Sequence, residues 1–285
     1  ANCHLDSLGS LRGEKLGFLG RNYKFSQIST DSEGIIKSDS CNTIVIATRH
    51  DTHGDFVEKV LKNSKNVFVE KPLCLTNYEL ENIKNSYNGG HILMVGYNRR
   101  FAPLILEFKK LLNNINGPKS FIYTCNAGYV DSKHWSQDPT KGGGRLLGEA
   151  CHFVDLLRFL VDFPINNLQV NYLYENKKYP DSFSISIAFK DGSIGTIHYY
   201  SSGSKTFPKE RIEVFGDSKV IQLNNFLKLR SWGFKRNINI SKLKQNKGQR
   251  NCISSFLNSI KENHESPIPI EQIFEVQEWL LKASK

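Results

Sequence analysis

The sequence predicts an α/β protein in which a doubly wound parallel sheet is followed by an α+β domain with an open, mainly antiparallel sheet. Strands and amphipathic helices alternate between Thr43 and Tyr97, which is the pattern of a parallel sheet wound through right-handed crossovers. Hairpin signals follow one another after Asp181, which is typical of antiparallel strands. A length of 285 residues favours two domains. We place them at residues 1–100 and 101–285.

Glu70 and Lys71 stand directly after a short buried strand, Asn66–Val69, where an open parallel sheet places its ligand crevice. Pro72 fixes its own φ and keeps Lys71 extended, so the backbone aims the ammonium group. A Glu-Lys-Pro run at a strand end is most often a solvated charge pair. The strand and helix signals on both sides favour a functional site instead.

The remaining elements are also indicated by local signals. Thr76 with Glu79 three residues later forms a capping-box pattern, which predicts the start of a helix. After the domain boundary, turn and periodicity signals predict a helix from Pro103, strands at 121–127, 181–189, 193–201, 211–215 and 219–222, and helices at 149–160, 251–263 and 271–283.

The formal net charge of +10 lies in one stretch. Residues 218–261 contain ten Lys or Arg residues and no Asp or Glu. Apolar and polar residues alternate there, which favours a half-exposed sheet with a solvated face. Interleaved Phe226, Trp232 and Phe234 leave an anion-binding surface open as an alternative. Nucleic acid is not expected as a partner, because no base-reading motif accompanies the charges.

Several classes of protein are not expected. No apolar run approaches the roughly 20 residues that span a bilayer, and the polar start lacks a signal-peptide pattern, so we expect a soluble cytoplasmic protein without a membrane partner. The six cysteines form no Cys-x-x-Cys pair, which argues against a zinc knuckle or a disulfide framework. His50, Asp51 and His53 are clustered, but two histidines three positions apart without a further ligand are weak evidence for a metal site. No metal is therefore expected.

Three spaced motifs resemble one protein family. They are the run from Thr43 to Leu75 with its Glu-Lys-Pro-Leu, the segment Gly96–Phe101, and the segment Gly142–Asp155. In this order they are similar to motifs of the glucose-fructose oxidoreductase, inositol 2-dehydrogenase and MocA family of NAD(P)-dependent sugar oxidoreductases. The resemblance covers nearly the whole chain. It implies a Rossmann-like first domain and a broad second-domain sheet that offers one face to a sister subunit, in a homodimer or homotetramer.

The resemblance also implies the residues that bind NAD or NADP. The loop from Thr48 to His53 is expected to line the ribose and nicotinamide side of the cofactor. The loop at 96–101 is expected to carry further contacts. The implied set of cofactor-binding residues is Thr48, Arg49, His50, His53, Glu70, Lys71, Asn98 and Arg99.

Glu149, His152 and Asp155 are spaced by three on a predicted helix, so they lie along one face. Histidine suits proton transfer near neutral pH, because its unperturbed pKa is about 6.5. Alone, His152 would more often be a core histidine, but with Lys71 we expect both to be catalytic. Many family members carry Asp where Gly148 stands. We expect Glu149 to supply that carboxylate; the alternative is a proton relay that rests on Lys71 and His152. Asp155 is expected either to orient the imidazole and contact substrate or to form a buried salt bridge.

The implied reaction is oxidation of a secondary hydroxyl on a sugar, polyol or sugar derivative, or the reverse reduction. A base takes the hydroxyl proton while hydride leaves the same carbon for the nicotinamide, and a nearby lysine offsets charge on the oxygen. Aromatic faces and a guanidinium suit sugars, including acidic or nucleotide-linked ones, so Tyr129, Trp135 and Arg145 are expected to contact the substrate.

The sequence contains no Gly-x-Gly-x-x-Gly motif, the loop that presents backbone amides to a dinucleotide pyrophosphate. Residues 5–17 resemble the family's second helix, and residues 25–36 resemble the connection to the next strand. We therefore expect a fragment or truncated form with a partial doubly wound sheet, or alternatively a reduced homologue. Rival interpretations are a non-catalytic scaffold or binding subunit and a glycosidase of the same fold that uses NAD transiently.

Overall fold

The N-terminal part of the structure is a small unit of two strands and two helices. The computed structural model describes residues 3–10, 16–173 and 180–284. Strands β1 (Ser7–Gly9) and β2 (Gln27–Ser29) pair in parallel, helix α1 (Leu16–Tyr23) connects them, and α2 (Ser32–Lys37) follows. The predicted helix over residues 5–17 is wrong at residues 7–9. Ser and Gly are weak helix formers, and pairing with β2 satisfies the backbone of this segment; residues 11–15 lie outside the described part.

The first domain is built on a three-stranded parallel sheet, as the alternating pattern predicts. Its strands pair in the order β3-β4-β5. Helix α4 begins with the predicted capping box between Thr76 and Glu79. The elements in chain order are β3 (Thr43–Ile46), α3 (His53–Lys62), β4 (Asn66–Val69), α4 (Asn77–Ser86) and β5 (Leu93–Val95).

The second domain is an eight-stranded sheet with helices against one face. Its elements in chain order are α5 (Pro103–Leu112), β6 (Ser120–Asn126), α6 (Cys151–Val161), β7 (Ile165–Tyr172), β8 (Phe183–Phe189), β9 (Ile194–Tyr200), β10 (Glu210–Gly216), β11 (Lys219–Asn224), β12 (Lys228–Trp232), β13 (Asn239–Ser241), α7 (Gln249–Glu262) and α8 (Ile270–Ala283). The strand order is β13-β12-β11-β10-β6-β9-β8-β7, and among the described strands of this sheet only β6 and β9 pair in parallel. The predicted strands of this domain are confirmed to within a few residues.

The sheet has one buried face and one open face, because successive side chains point to opposite sides. Tyr123 and Ile197 belong to the buried face, which lies under α6. On the open face, register places Trp232, Val220, Phe215, Ser120 and Ile194 in one row across five strands. Trp232, Phe215 and Ile194 are 42%, 41% and 55% exposed. The basic stretch at residues 218–261 thus contributes strands to a half-exposed sheet, as the alternation of apolar and polar residues predicts.

The two domains share an extensive buried core that includes α6 and α8. The chain passes between them at residues 96–102, directly after β5. Within the described ranges, none of the helices has the length and apolar character that crossing a bilayer requires.

Candidate active site

Lys71 contacts the second domain from the end of a first-domain strand. It lies two residues after β4, the middle strand of its sheet, and the Lys71–Pro72 peptide is cis. The Nζ atom donates hydrogen bonds to the carbonyl oxygen of Gly148 (2.6 Å) and to Oε1 of Glu149 (2.9 Å). Gly148 and Glu149 lie 77 and 78 positions after Lys71 in the chain, so the ion pair is a product of domain packing.

Glu149 lies in a widened helical turn, Leu146–Ala150, which leads directly into α6. Turns of this π type occur often at functional sites. Burial alone would raise the pKa of the Glu149 carboxyl, but the charge and hydrogen bond of Lys71 outweigh burial and lower it. Glu149 is therefore ionised near neutral pH and holds the Lys71 ammonium group.

Gly148 allows two backbone segments to cross closely beside this pair. A Cβ atom at position 148 would come within 2.9 Å of the Gly142 carbonyl oxygen and 3.2 Å of the His50 ring. Any larger side chain would displace the Gly142 segment. This packing explains why glycine replaces the aspartate that the family resemblance implies at this position, and it leaves Glu149 as the carboxylate beside Lys71.

His152 is buried in the first turn of α6. Its ring packs edge-on against Tyr97 at 6.4 Å between centroids, and in the described part of the chain its Nδ1 has no hydrogen-bond partner. Burial, together with the positive charges of Arg99 and Lys71, holds the pKa of His152 well below its usual range. The imidazole is therefore neutral near pH 7 and can accept a proton.

A single cavity of about 420 Å³ brings these side chains together. Six of the predicted site residues line it, namely Glu70, Lys71, Asn98, Arg99, Glu149 and His152. The wall also includes residues that the sequence analysis did not single out, among them Lys247, Gln249 and Cys252. Lys71 and His152 thus approach the same space from different domains.

The loop from Thr48 to His53 does not form part of this cavity wall within the described residues. His53 is buried, with Nδ1 2.7 Å from the Pro72 carbonyl oxygen, so it braces the turn that carries Lys71. The Thr48 hydroxyl hydrogen-bonds to that of Thr52 (2.6 Å). In the ranges that the structure describes, no group of three or more His, Cys, Asp or Glu side chains could hold a metal ion.

His50 and Arg49 hold the polar aromatic loop of the second domain. Nδ1 of His50 lies 2.7 Å from the Gly142 carbonyl oxygen, and the His50 ring meets Trp135 edge-on at 4.9 Å. Burial lowers the pKa of His50 to about 4. The Arg49 guanidinium lies 5.7 Å from the Trp135 ring centroid. These contacts join the two domains, and Trp135 is not among the described residues that line the cavity.

Three other predicted substrate residues lie outside the cavity wall. Tyr129 is 62% exposed, after the end of β6. Arg145 is buried with its guanidinium 5.9 Å from the Tyr199 ring centroid, and its Nε and Nη2 find no partner in the described part of the chain. Asp155 has no exposed surface and accepts two-point hydrogen bonds from Arg100 (2.6–2.9 Å). Asp155 therefore forms the buried salt bridge that was the alternative expectation, and its contact with substrate stays a prediction.

Glu210 is the main site residue that the sequence analysis missed. It is the first residue of β10 and is 1% exposed. Its carboxylate accepts hydrogen bonds from Nε and Nη2 of Arg99 (2.9 and 3.0 Å), from Nζ of Lys247 (2.5 Å), and from the Tyr123 hydroxyl. Burial would raise the pKa of Glu210, but Arg99 and Lys247 outweigh it and hold the pKa at about 2.

Lys247 reaches the cavity because Gly248 allows a close approach. Gly248 has φ +84°, and a Cβ there would lie 2.5 Å from backbone atoms of the 98–102 segment. Asn98 adds a hydrogen bond from Nδ2 to the Lys247 carbonyl oxygen (2.7 Å). The sequence carried no clear signal for this cluster, because Glu210 stands between Lys209 and Arg211 like an ordinary surface charge, and nothing in it identified the partners.

The fold and the site define a two-domain α/β protein with a polar cleft where its parallel sheet meets the second domain. Two family models match the chain: "Oxidoreductase family, NAD-binding Rossmann fold" over residues 10–97 and "Oxidoreductase family, C-terminal alpha/beta domain" over residues 112–283. The chain therefore belongs to the Gfo/Idh/MocA oxidoreductase family, as the three motifs predict.

Similar proteins include sugar and polyol dehydrogenases. The scyllo-inositol 2-dehydrogenase (NAD(+)) of Bacillus subtilis is 26% identical over 204 residues, which are 66% of this chain and 56% of that protein. The myo-inositol 2-dehydrogenase of Thermotoga maritima is 22% identical over 236 residues, which are 78% of this chain and 68% of that protein. The chain spans little more than half the length of the Bacillus relative.

Solved structures share the whole fold. Levoglucosan dehydrogenase in complex with NADH and levoglucosan superposes with a TM-score of 0.86 at 18% identity, covering 99% of this chain and 88% of that one. Aldose-aldose oxidoreductase from Caulobacter crescentus, complexed with glycerol, superposes with a TM-score of 0.84 at 18% identity. The match covers 99% of this chain and 89% of that one. At this identity the likeness establishes the fold alone.

Proposed function

We propose that this protein is an NAD(P)-dependent oxidoreductase that oxidises a secondary hydroxyl of a sugar, polyol or sugar derivative, or catalyses the reverse reduction. The observation that carries the proposal is that Lys71 and His152 line one cavity from two domains, with Glu149 paired to Lys71. Family membership and the dehydrogenases among the similar proteins support the same reaction class.

The residues at the ends of the parallel strands fit a nicotinamide nucleoside. Glu70 and Asn98 follow β4 and β5 and line the cavity, which is where open parallel sheets bind such ligands. Gly96 lies so close to Glu70 that a Cβ there would meet its carboxylate at 3.2 Å. The Glu70 carboxylate suits ribose hydroxyls, and Asn98 suits a carboxamide. A bound nicotinamide supplies the hydride acceptor or donor.

The reaction assigns each side chain one task. In oxidation, neutral His152 takes the hydroxyl proton as the C–H hydride leaves the same carbon, which becomes a carbonyl. The Lys71 ammonium stabilises the negative charge that develops on the oxygen. Glu149 keeps Lys71 charged and aimed, and the cluster at Glu210 fixes Arg99 on the cavity wall. In reduction, His152 returns the proton.

The open face of the eight-stranded sheet is the surface that we propose for contact with a second copy of the chain. Its row of exposed apolar side chains includes Ile194, Phe215 and Trp232. An aligned apolar row on a sheet face is a typical interaction surface. A homodimer or homotetramer would cover it. We also propose that the protein acts in the cytoplasm, where NAD(P) is available.

The test is a spectrophotometric assay at 340 nm with the purified protein, NAD or NADP, and a panel of cyclic polyols and aldoses. Substrate-dependent formation of the reduced nicotinamide is the expected result. Cleavage of a glycoside without net change at 340 nm would favour the glycosidase alternative. Sugar binding by a folded protein with no turnover of any panel member would favour a binding subunit and contradict the proposal.

A further inference from the structure

A second cavity of about 420 Å³ lies at the carboxyl end of β6. It is enclosed by the segment after β6, the loop that joins β9 to β10, and the turn between β11 and β12. Its lining residues are Asn126, Ala127, Gly128, Lys205, Thr206, Phe207, Pro208, Lys209 and Asn225. Nothing in the proposed reaction uses these residues.

The wall of this lysine cavity is positively charged. Neither Lys205 nor Lys209 forms an ion pair with any residue that the structure describes, and the cavity wall contains no Asp or Glu. The aliphatic stem of Lys205 packs near Gly128, 3.7 Å from the position of a Cβ there. Two unpaired ammonium groups on one wall favour the binding of an anion.

Asn126 holds one wall of the cavity in place. The residue is 8% exposed, and its Nδ2 donates to the Ser204 carbonyl oxygen (2.7 Å), which sets the orientation of the amide. Its Oδ1 has no hydrogen-bond partner among the described residues. Gly203 permits this packing, because a Cβ there would lie 2.0 Å from that oxygen. The oxygen therefore packs against the Gly203 backbone, and the Asn126 amide ties the 203–204 segment to the end of β6.

The lysine cavity neighbours the catalytic one. Lys209 directly precedes Glu210, whose carboxylate holds Arg99 and Lys247 on the wall of the first cavity. The Lys209 charge is also close enough to help lower the pKa of both Glu149 and His152. The two cavities are therefore neighbours, with Glu210 next in the chain to the Lys209 wall and bonded to the Arg99 wall.

We propose that the lysine cavity is a subsite for an anionic group, a phosphate or a carboxylate, on a part of the substrate remote from the reacting hydroxyl. Lys205 and Lys209 bind the anion. The inference rests on the proposed function in treating the ligand as the substrate. The binding test itself needs no turnover.

The test is isothermal titration of the protein, without nicotinamide nucleotide, against D-glucose 6-phosphate, D-glucuronate and D-glucose. At least one of the charged sugars is expected to bind on the order of tenfold more tightly than glucose, as charge-assisted hydrogen bonds predict. The two charged sugars distinguish phosphate from carboxylate. Equal affinity for all three, or no measurable binding of either charged sugar, would overturn the proposal.

Variants locate the binding. Lys205→Gln and Lys209→Gln are each expected to weaken binding of the preferred charged sugar about tenfold while leaving glucose unchanged. Lys190→Gln is the matched control, because Lys190 is exposed in the β8–β9 hairpin, beside the opposite end of β6. An equal loss in the control would overturn the subsite. Binding of the charged sugar without dehydrogenase activity would refute only the proposed reaction. Dehydrogenase activity without preferential binding of a charged sugar would refute only the subsite.

Discussion

Arg99 and Glu210 form a two-point ion pair that is almost completely buried, although 111 residues separate them in the sequence. Arg99 lies in the passage between the domains, and Glu210 opens strand β10. The same carboxylate also holds Lys247 and the Tyr123 hydroxyl. The wall of the candidate active site therefore depends on one carboxylate group that need not touch the substrate.

We expect Glu210→Gln to lower the free energy of unfolding at pH 7 by about 3–5 kcal/mol, because it leaves the buried Arg99 without its counter-charge. The pKa of Glu210 is lowered from 4.5 to about 2, so its contribution is complete above pH 4.5 and is lost as the pH falls toward 2. Urea unfolding between pH 7 and pH 3 checks this. The variant should show a weaker pH dependence than the wild type.

Glu213→Gln is the control for that experiment, since Glu213 lies on the same strand but on the open face, 3.5 Å from Arg211. Its effect should stay within about 1 kcal/mol. An equal fall in the free energy of unfolding for both variants would mean that the buried ion pair of Glu210 stabilises the fold no more than an exposed one.

Replacing Lys71 or His152 by alanine should lower turnover by roughly 10²-fold or more, which is typical for a positioned proton-transfer group. Cofactor affinity should change much less. Because the pKa of His152 is held well below 6.5, the acid limb of the kcat/KM profile should also lie below pH 6.5. Steady-state kinetics and nucleotide titration measure both, with Lys190→Gln as the control. Turnover within threefold of wild type in either alanine variant would contradict the assigned roles.

Glu149→Gln should reduce turnover by a smaller factor, on the order of tenfold. The substitution removes the charge that faces Lys71 at 2.9 Å, while the hydrogen bond from Lys71 to the Gly148 carbonyl remains. The loss should appear in kcat with little change in nucleotide affinity. Unchanged kcat would indicate that the carbonyl alone positions the lysine.

Arg145→Met should raise the thermal midpoint of unfolding by a few degrees. A buried guanidinium whose Nε and Nη2 lack partners in the described part of the chain costs about 1–3 kcal/mol, and methionine of similar length removes that cost. If Arg145 serves the substrate, the variant should also bind substrate more weakly. Differential scanning calorimetry and substrate titration test the two effects.

Arg158→Met is the matched comparison, because Arg158 is equally buried but its Nε donates to Glu275 at 2.7 Å. This variant should be destabilised, because it leaves the Glu275 carboxylate without its positively charged partner. A similar loss of stability in both variants would show that Arg145 has partners that stabilise the fold.

Phe215→Glu should shift the protein toward the monomer in sedimentation velocity. Phe215 lies at the centre of the apolar row on the open sheet face, and a carboxylate there would be desolvated in a contact between copies. Phe163→Glu is the control, because Phe163 is similarly exposed but lies after α6. A wild-type sedimentation coefficient for Phe215→Glu would exclude this face as the contact.

Local patterns were sufficient for much of the fold and part of the site. The strand before Glu70, the capping box at Thr76 and the alternation in the basic stretch each depend on neighbouring residues only, and each is present. The prediction of a helix at residues 5–17 is wrong at residues 7–9. This segment forms a strand because pairing with β2, a tertiary contact, overrides its weak local preference for helix.

The sequence by itself determined the order of the elements, the strand end that carries Lys71 and the helix that carries His152, because hydrophobic period and turn residues specify these locally. Only the tertiary structure decided the partners: Glu149 for Lys71, Arg100 for Asp155, and Glu210 for Arg99. The physical reason is that a buried charge needs a counter-charge close to it in space. The sequence offers several acidic residues for each basic one, and only the packing of the domains selects the partner.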